Sequence, residues 1–224
     1  MWRFEDFRDL PVAAVAQALS RLTRKGMLER LSKGIYYHSR ATAFGKSLPN
    51  PADMSRLVSQ RKTVFPSGIA AANLLGLTTQ TARRSEVATS ALSLPRKLIG
   101  GDTIIHTRRP EAWAGLSDAE AALLDFLRRR GNTSELSPEE TVRRTLVLLS
   151  ERGRFTRLVR IADWEPPRVR AMLGAIGEQL GKKPGTLRRL RASLNALSSF
   201  DFGLLSGLPR AKSWQAKEQR LLTG

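Results

Sequence analysis

The sequence has 224 residues, of which 41% are hydrophobic, so the chain is long enough to bury one large core or two smaller ones. Its 38 Lys and Arg against 20 Asp and Glu give a net charge of +18, which points to a polyanionic partner, either nucleic acid or an anionic membrane surface. The absence of cysteine excludes disulfides, thiolate zinc sites and a cysteine nucleophile, and two histidines far apart in sequence argue against an imidazole metal site or a histidine acid–base catalyst.

The amino terminus and the apolar runs carry no targeting or membrane-spanning signal. Residues 1–7 lack a positive region followed by an apolar one, which a signal peptide requires. The most apolar stretch, residues 69–77, is interrupted by Asn73 and is too short to cross a bilayer. We therefore expect a cytoplasmic protein without a membrane partner.

Residues 1–40 are predicted to form a winged helix-turn-helix. Apolar side chains at Val12, Val15, Leu19 and Leu22 fall at helical spacing, which predicts a helix over residues 12–25 that Gly26 ends. Short β-rich runs at 27–31 and 35–37 surround a turn and predict a hairpin. Helix followed by hairpin is the order of a winged helix, although the first helix of that fold has no counterpart before residue 4.

The rest of the chain is predicted to form a larger, mostly helical domain with a small β-sheet. Residues 41–52 have the composition of a linker, and residues 53–224 form the second domain. Strands are expected at 63–65, 86–90, 97–99 and 102–107, the last two joined as a hairpin through Gly100 and Gly101. Helices are expected at 51–60, 67–75 with Ser67 as its cap, 118–130, 138–150, 152–162, 167–180 and 184–197, followed by a partly extended tail after residue 198. The fold class is α+β.

One face of the first predicted helix suits DNA recognition. Four side chains lie opposite its apolar stripe and have the reach and chemistry to contact base edges or phosphates: Gln17, Ser20, Arg21 and Arg24. Lys25 is placed to meet a phosphate, while Lys33 and Tyr36 of the hairpin are placed to touch the DNA backbone or minor groove. The alternative is that these charges form an ordinary solvated helix face.

Two runs of sequence resemble a known family. The run ALSRLTRKGMLERLSKGIYYHS at residues 18–39 resembles the winged-helix signature of the AbiEi antitoxins of bacterial type IV toxin–antitoxin systems. The run FPSGIAAANLLGLTTQ at residues 65–80 is similar to a second hallmark of those proteins, and the two runs occur in the expected order. The likeness extends over roughly residues 4–181.

This resemblance implies a protein of two parts. The winged helix would bind double-stranded DNA at the promoter of its own operon and repress it, with the seven residues named above as the DNA contacts. The second domain would counteract a nucleotidyltransferase-like toxin. Within residues 65–80, small residues followed by Gly76 favour a tightly packed helix, in which Asn73 ties down neighbouring backbone, over a functional site.

Two other functions stay open at this point. A winged-helix regulator without a toxin partner would share the DNA-reading face, and an RNA- or nucleotide-handling enzyme would require catalytic carboxylates. No phosphate loop, serine elbow or zinc-protease motif is present, so we expect no enzyme, cofactor or metal. The carboxyl-terminal arginines at 128–130, 143–144, 152–160 and 188–191 either extend the DNA contact or engage an acidic partner.

Overall fold

The computed structural model describes residues 2–39, 41–42, 45–46, 63–94, 96–99, 101–151 and 153–218. The architecture is α+β, as predicted. The chain divides into two compact units: unit 1 comprises Met1–Thr63 and Ser93–Thr103, and unit 2 comprises Val64–Leu92 and Ile104–Gly224. The sequence predicted one linker at residues 41–52 between two continuous domains. In the structure, residues 93–103 belong to unit 1 as well, so unit 1 is made of two separate segments of the chain.

Unit 1 contains the expected helix and hairpin together with an additional edge strand. Its elements are β1 (Trp2–Arg3), a 3-10 turn (Phe4–Phe7), α1 (Val12–Arg24), β2 (Glu29–Ser32), β3 (Ile35–Tyr37) and the short ladder of β4 (Ala41–Thr42) with β5 (Gly45–Lys46). The first three strands form an antiparallel sheet in the order β1-β3-β2. Strand, helical turn, helix and hairpin therefore follow one another as in a winged helix-turn-helix.

Helix α1 ends where the sequence predicts, in a well-formed carboxyl-terminal cap. Gly26 adopts a left-handed conformation with φ of +71°, which favours glycine. The Gly26 amide donates to the Thr23 carbonyl and the Met27 amide donates to the Leu22 carbonyl, each at 3.0 Å. These two bonds form a Schellman motif, which satisfies carbonyls that the helix itself leaves without partners.

The segment at residues 93–103 corrects two predictions. Residues 97–99 were expected to form a strand, but they lie in a helical turn, α3 (Arg96–Ile99), which contacts β2. The expected hairpin through Gly100 and Gly101 is also wrong, because the strand that follows pairs with another partner; Gly100 itself lies outside the described residues. Thr103 Oγ1 donates to the Ile99 carbonyl at 2.6 Å and closes this turn.

Unit 2 begins with a small mixed sheet. Its strands are β6 (Val64–Pro66), β7 (Glu86–Thr89) and β8 (Ile104–His106), in the order β6-β7-β8. The β6–β7 pair is antiparallel and the β7–β8 pair is parallel. A short helix, α2 (Gly68–Leu74), follows β6, and Gly76 ends it with φ of +66°, as expected. The helix predicted at residues 51–60 lies outside the described residues.

Five helices of unit 2 confirm the sequence prediction, with shorter ends in four of them. They are α4 (Asp118–Arg128), α5 (Pro138–Ser150), α6 (Arg154–Arg160), α7 (Pro167–Gln179) and α8 (Pro184–Ala192). A capping box starts α4, with Ser117 and Glu120 bonding each other's backbone amides. Helix α6 begins after Gly153, whose φ is +77°; Arg152 lies outside the described residues. No helix in the described part of the chain is both long and apolar enough to span a membrane.

The segment from Phe202 to Trp214 is part of the core of unit 2. Phe202, Leu205, Leu208 and Trp214 are buried in the same cluster as the helices, although residues after 198 were expected to be partly extended. Leu205 and Trp214 lie in two 3-10 turns, Gly203–Gly207 and Lys212–Trp214, and Phe202 and Leu208 flank the first of them. A parallel bridge between Phe200 and Ala216 closes the segment. The apolar residues of this segment lie in or beside 3-10 turns and loops, which have no long-range periodicity, so the sequence pattern did not predict their burial.

Candidate nucleic-acid interface

The recognition face predicted on α1 is exposed in unit 1. Val15 and Leu19 are buried and pack with Leu28, while Phe4, Phe7, Leu22 and Tyr36 cover the edges of this cluster. The polar residues lie on the opposite side of the helix and are all exposed: Gln17, Ser20, Arg21 and Arg24. Val12, which was predicted to belong to the apolar stripe, is instead 71% exposed.

Charge on this face is not neutralised locally. In the part of the chain that the structure describes, no carboxylate lies within 4.0 Å of the basic groups of Arg21, Arg24 or Lys25. Arg21 and Arg24 lie in the last turn of α1, where positive charge interacts favourably with the helix dipole. The helix thus tolerates these cations at no cost, and their guanidinium groups are available to an anionic partner.

The hairpin places one of its two predicted contact residues at the surface. Lys33 is exposed in the turn between β2 and β3, and Gly34 beside it has φ of +74°, which the tight turn requires. Tyr36 is half-buried, and its ring packs against the cluster formed by α1 and Leu28. The structure therefore separates Tyr36 from the exposed set and gives it a packing contact instead.

The second run that resembles the antitoxin family, residues 65–80, contributes Ser67 and Gly68 to a buried polar cluster in unit 2. Ser67 precedes α2 but does not cap it, contrary to the prediction, because its hydroxyl donates to Asp125 at 2.9 Å. The Gly68 amide also donates to Asp125 at 2.9 Å. Arg109, in the segment after β8, and Arg129, at the carboxyl-terminal end of α4, bond the same carboxylate at 3.0 and 2.9 Å, respectively. Asp125 is completely buried, so its charge depends on these partners.

These contacts control the protonation of Asp125. Burial alone would raise the pKa of its carboxyl group, but the Gly68 amide and the charge of Arg129 outweigh that effect. The pKa of Asp125 is consequently held below its ordinary value. An acid of lowered pKa is a poor general base, and Ser67 beside it is fully buried, so a substrate cannot reach this pair.

Arg129 extends the cluster to the sheet. Its Nη2 atom lies 2.6 Å from Glu86 Oε2 and 2.8 Å from His106 Nε2, and those two side chains are 2.8 Å apart. Among the described residues, no group of three or more His, Cys, Asp or Glu side chains is arranged to hold a metal ion. The cluster joins α2, β7, β8 and α4, and this arrangement serves to fix those elements together.

Residues 65–80 were predicted to form a tightly packed helix with a structural role, and the contacts of Asn73, Ala71 and Ala72 agree with that prediction. Asn73 Nδ2 donates to the Gln80 carbonyl at 2.9 Å and ties down the backbone after α2, as expected. Ala71 and Ala72 are buried against the core. The sequence carried no signal for the Asp125 cluster, because its members come from four segments that are distant along the chain.

Most carboxyl-terminal arginines are held by carboxylates of unit 2. Glu165, which is buried, accepts bonds from Arg128 at 2.6 Å and from Trp113 Nε1 at 2.7 Å. Further ion pairs join Arg129 to Asp125, Arg130 to Asp201, Arg143 to Glu140, Arg154 to Glu151, Arg157 to Glu120, and both Arg191 and Arg210 to Glu178. Part of the arginine content predicted to contact a partner therefore stabilises the fold.

Residues 3–108 match a family described as a family of unknown function (DUF6088), and this match covers less than half of the chain. No curated protein matches the sequence. Among solved structures, the chain is similar to the RV2827C protein from Mycobacterium tuberculosis, with 18% identity and a TM-score of 0.43 over 88% of this chain and 78% of that chain.

Proposed function

We propose that the protein is a DNA-binding antitoxin that represses its own operon. One observation carries the DNA-binding part of the proposal. A single exposed face of α1 presents Gln17, Ser20, Arg21 and Arg24, and the described residues supply no carboxylate partner for either arginine. Proteins recognise the DNA major groove through positive and polar side chains on an exposed helix face. On α1, these side chains have no carboxylate partner among the described residues, and a hairpin follows the helix.

In the proposed mechanism, α1 lies in the major groove with its exposed face toward the bases. Gln17 pairs with an adenine edge and Arg21 with a guanine edge, because an amide and a guanidinium match those donor and acceptor patterns. Arg24 and Lys25 bind phosphates near the carboxyl-terminal end of the helix. Lys33 in the hairpin turn binds the backbone beside the groove. Tyr36 supports the hairpin by its packing on α1.

The antitoxin part of the proposal rests on the sequence resemblance of residues 18–39 and 65–80. In this proposal unit 2 counteracts a nucleotidyltransferase-like toxin, and the protein acts in the cytoplasm, where its operon lies. A toxin gene beside the gene of this protein is expected. Co-expression of the two proteins should restore growth that the toxin alone inhibits, whereas no restoration would leave a DNA-binding regulator without a toxin partner.

DNA recognition is tested by binding to the upstream region of the gene. We would measure the affinity of the wild-type chain for that duplex and for a scrambled duplex, across a series of salt concentrations. The wild type should prefer its own sequence by about tenfold or more, which corresponds to about 1.4 kcal/mol. The double substitution Arg21→Ala with Arg24→Ala should abolish this preference.

A matched control removes two arginines elsewhere. Arg83 and Arg84 are exposed in unit 2, so Arg83→Ala with Arg84→Ala makes the same change in net charge without altering α1. This control should keep the sequence preference. Equal affinity of the wild type for both duplexes would refute sequence recognition by α1.

A further inference from the structure

Unit 2 contains a pocket lined by positive charge. It lies between α6 and the amino-terminal end of α8 and has a volume of about 530 Å³. Four basic side chains line it: Arg160, Lys182, Lys183 and Arg189. Arg189 lies 3.8 Å from Asp163, but no carboxylate of the described residues lies within 4.0 Å of the charged groups of the other three. This pocket is therefore unlike the arginine pairs that stabilise the rest of unit 2.

Two of the four positive groups, Lys182 and Arg189, contact the pocket walls. Phe155 is buried at the base of the pocket, and the ammonium group of Lys182 lies 5.6 Å from the centre of its ring. The Arg189 guanidinium donates to the Val159 carbonyl at 2.7 Å, which fixes its direction. Cations that are already oriented lose less conformational entropy when an anion binds.

Polar groups at the rim suit an oxyanion with several acceptor atoms. Thr156 and Thr186 are among the lining residues, and Gly185 leaves the backbone of the first turn of α8 open to approach. The nine-residue helix α8 adds the positive end of its dipole to the charge of Lys182 and Lys183. Hydrogen-bond donors that come from several directions match the tetrahedral oxygens of a phosphate. A planar carboxylate is instead matched by a single arginine that binds both of its oxygens.

We propose that this pocket binds the phosphodiester backbone of nucleic acid. The proposal rests on the proposed function in one respect, since DNA is taken as the natural polyanion. The contact made here carries no sequence information, because phosphates are the same at every step of the duplex. Unit 1 then supplies sequence preference, and the pocket of unit 2 supplies affinity that depends strongly on salt.

The test uses the full chain and a scrambled DNA duplex, so that sequence recognition does not contribute. The double substitution Arg160→Gln with Lys183→Gln removes two exposed cations of the pocket and leaves Lys182 and Arg189, which contact the walls. Binding should weaken by about tenfold or more, and the slope of log K against log salt should decrease in magnitude by about 1.8. The melting temperature should stay unchanged.

The control pair is Arg83→Gln with Arg84→Gln, which makes the same change in charge on unit 2 outside the pocket. Its salt slope should remain that of the wild type. An equal decrease in both pairs, or no decrease in the pocket pair, would overturn the proposal, because either result assigns binding to charge in general or to another surface.

Competitors identify the source of the anion. Excess inorganic phosphate should displace the duplex only weakly, and polyglutamate should bind the wild type and the pocket variant equally. Loss of polyglutamate binding in the pocket variant, with duplex binding retained, would assign the pocket to an acidic protein and contradict the proposal. Failure of the proposed function is separable, because it removes the preference for the upstream duplex while the pocket still affects the scrambled one.

Discussion

The six-membered ring of Trp214 lies directly on the backbone of Gly174, so that a Cβ atom at position 174 would overlap the ring. Gly174 is in the middle of α7, and Trp214 comes from the last 3-10 turn of the described chain. Trp214 is 1% exposed, and its Nε1 atom donates to Glu178 at 2.6 Å, one helical turn along α7. The absent side chain of Gly174 thus creates the place where the tail docks.

This contact predicts that the effect of Gly174→Ala on the free energy of unfolding changes sign when Trp214 is replaced by alanine. Gly174→Ala should destabilise the wild type by about 1–3 kcal/mol, because the methyl group overpacks the contact with the ring. In the background of Trp214→Ala the same substitution should stabilise, by up to about 1 kcal/mol, because alanine is the better helix former. Urea unfolding followed by circular dichroism measures both values.

Trp214→Ala alone should cost about 3–5 kcal/mol, since it empties a fully buried site. Its control is Trp164→Ala, because Trp164 is 61% exposed and its removal should change the free energy of unfolding by less than about 0.5 kcal/mol. Equal losses in the two variants would show that the tail does not contribute to the core as described.

Gly68 is predicted to tolerate no side chain. Its φ is +61°, and a Cβ atom there would lie 2.5 Å from the carboxyl carbon of Glu86, which Arg129 and His106 hold in place. Gly68→Ala should therefore lower the free energy of unfolding by about 1–3 kcal/mol. Gly115→Ala, at a position with open space around it, serves as the control and should have little effect.

The Asp125 cluster predicts how stability depends on pH. The pKa of Asp125 is lower in the folded chain than in the unfolded chain, so its contribution is fully present above the unfolded value of about 3.9. That contribution is lost as the pH falls further, through the folded value. Asp125→Asn should cost about 3–5 kcal/mol at pH 7, because it removes a buried charge that pairs with the partly buried Arg109 and Arg129, of which only Arg129 keeps a second partner in Glu86.

Thermal or urea unfolding between pH 7 and pH 2 checks this expectation. The difference between the wild type and Asp125→Asn should become smaller as the solution is acidified below about pH 4. Asp118→Asn changes an exposed carboxylate in the same helix and should alter stability by about 0.5 kcal/mol or less. A difference that stays constant over the whole range would contradict the lowered pKa of Asp125.

Lys33 is predicted to contribute affinity without specificity. Lys33→Ala should weaken binding to the upstream duplex and to a scrambled duplex by the same factor, and it should reduce the salt slope by about 0.9. Tyr36→Phe retains the ring that packs on α1 and should bind both duplexes like the wild type. A changed ratio between the duplexes in Lys33→Ala would instead place Lys33 at a base edge.

Local signals explain why the exposed polar face of α1 could be predicted from the sequence. The periodicity of Val15, Leu19 and Leu22, the glycine that ends α1 and the hairpin turn are all set by neighbouring residues. The exposure of Arg21 and Arg24 follows from the same periodicity. The packing of Tyr36 on the α1 cluster was not predicted, because strand alternation alone does not show which face of the hairpin meets α1.

Long-range pairing explains what the sequence did not reveal. The strand β8 pairs in parallel with β7, and the segment between them in the chain belongs to unit 1. Because this pairing is not local, no feature of residues 97–107 argued against the hairpin that was predicted there. Likewise, Ser67 and Asp125 are 58 residues apart, and the hydroxyl of Ser67 was expected to cap the nearby helix instead. Tertiary contacts outweighed a reasonable local preference in both cases.

The return of Ser93–Thr103 to unit 1 determines when each unit can be completed during synthesis. The ribosome releases the chain from its amino terminus, and domains generally fold as their last residues emerge. Unit 1 lacks α3 until residue 103 has left the exit tunnel, although its helix and hairpin emerge much earlier. Unit 2 waits still longer, because Trp214 is among the last core residues to be made. A ribosome that stalls between these two points therefore presents a finished unit 1 together with an unfinished unit 2.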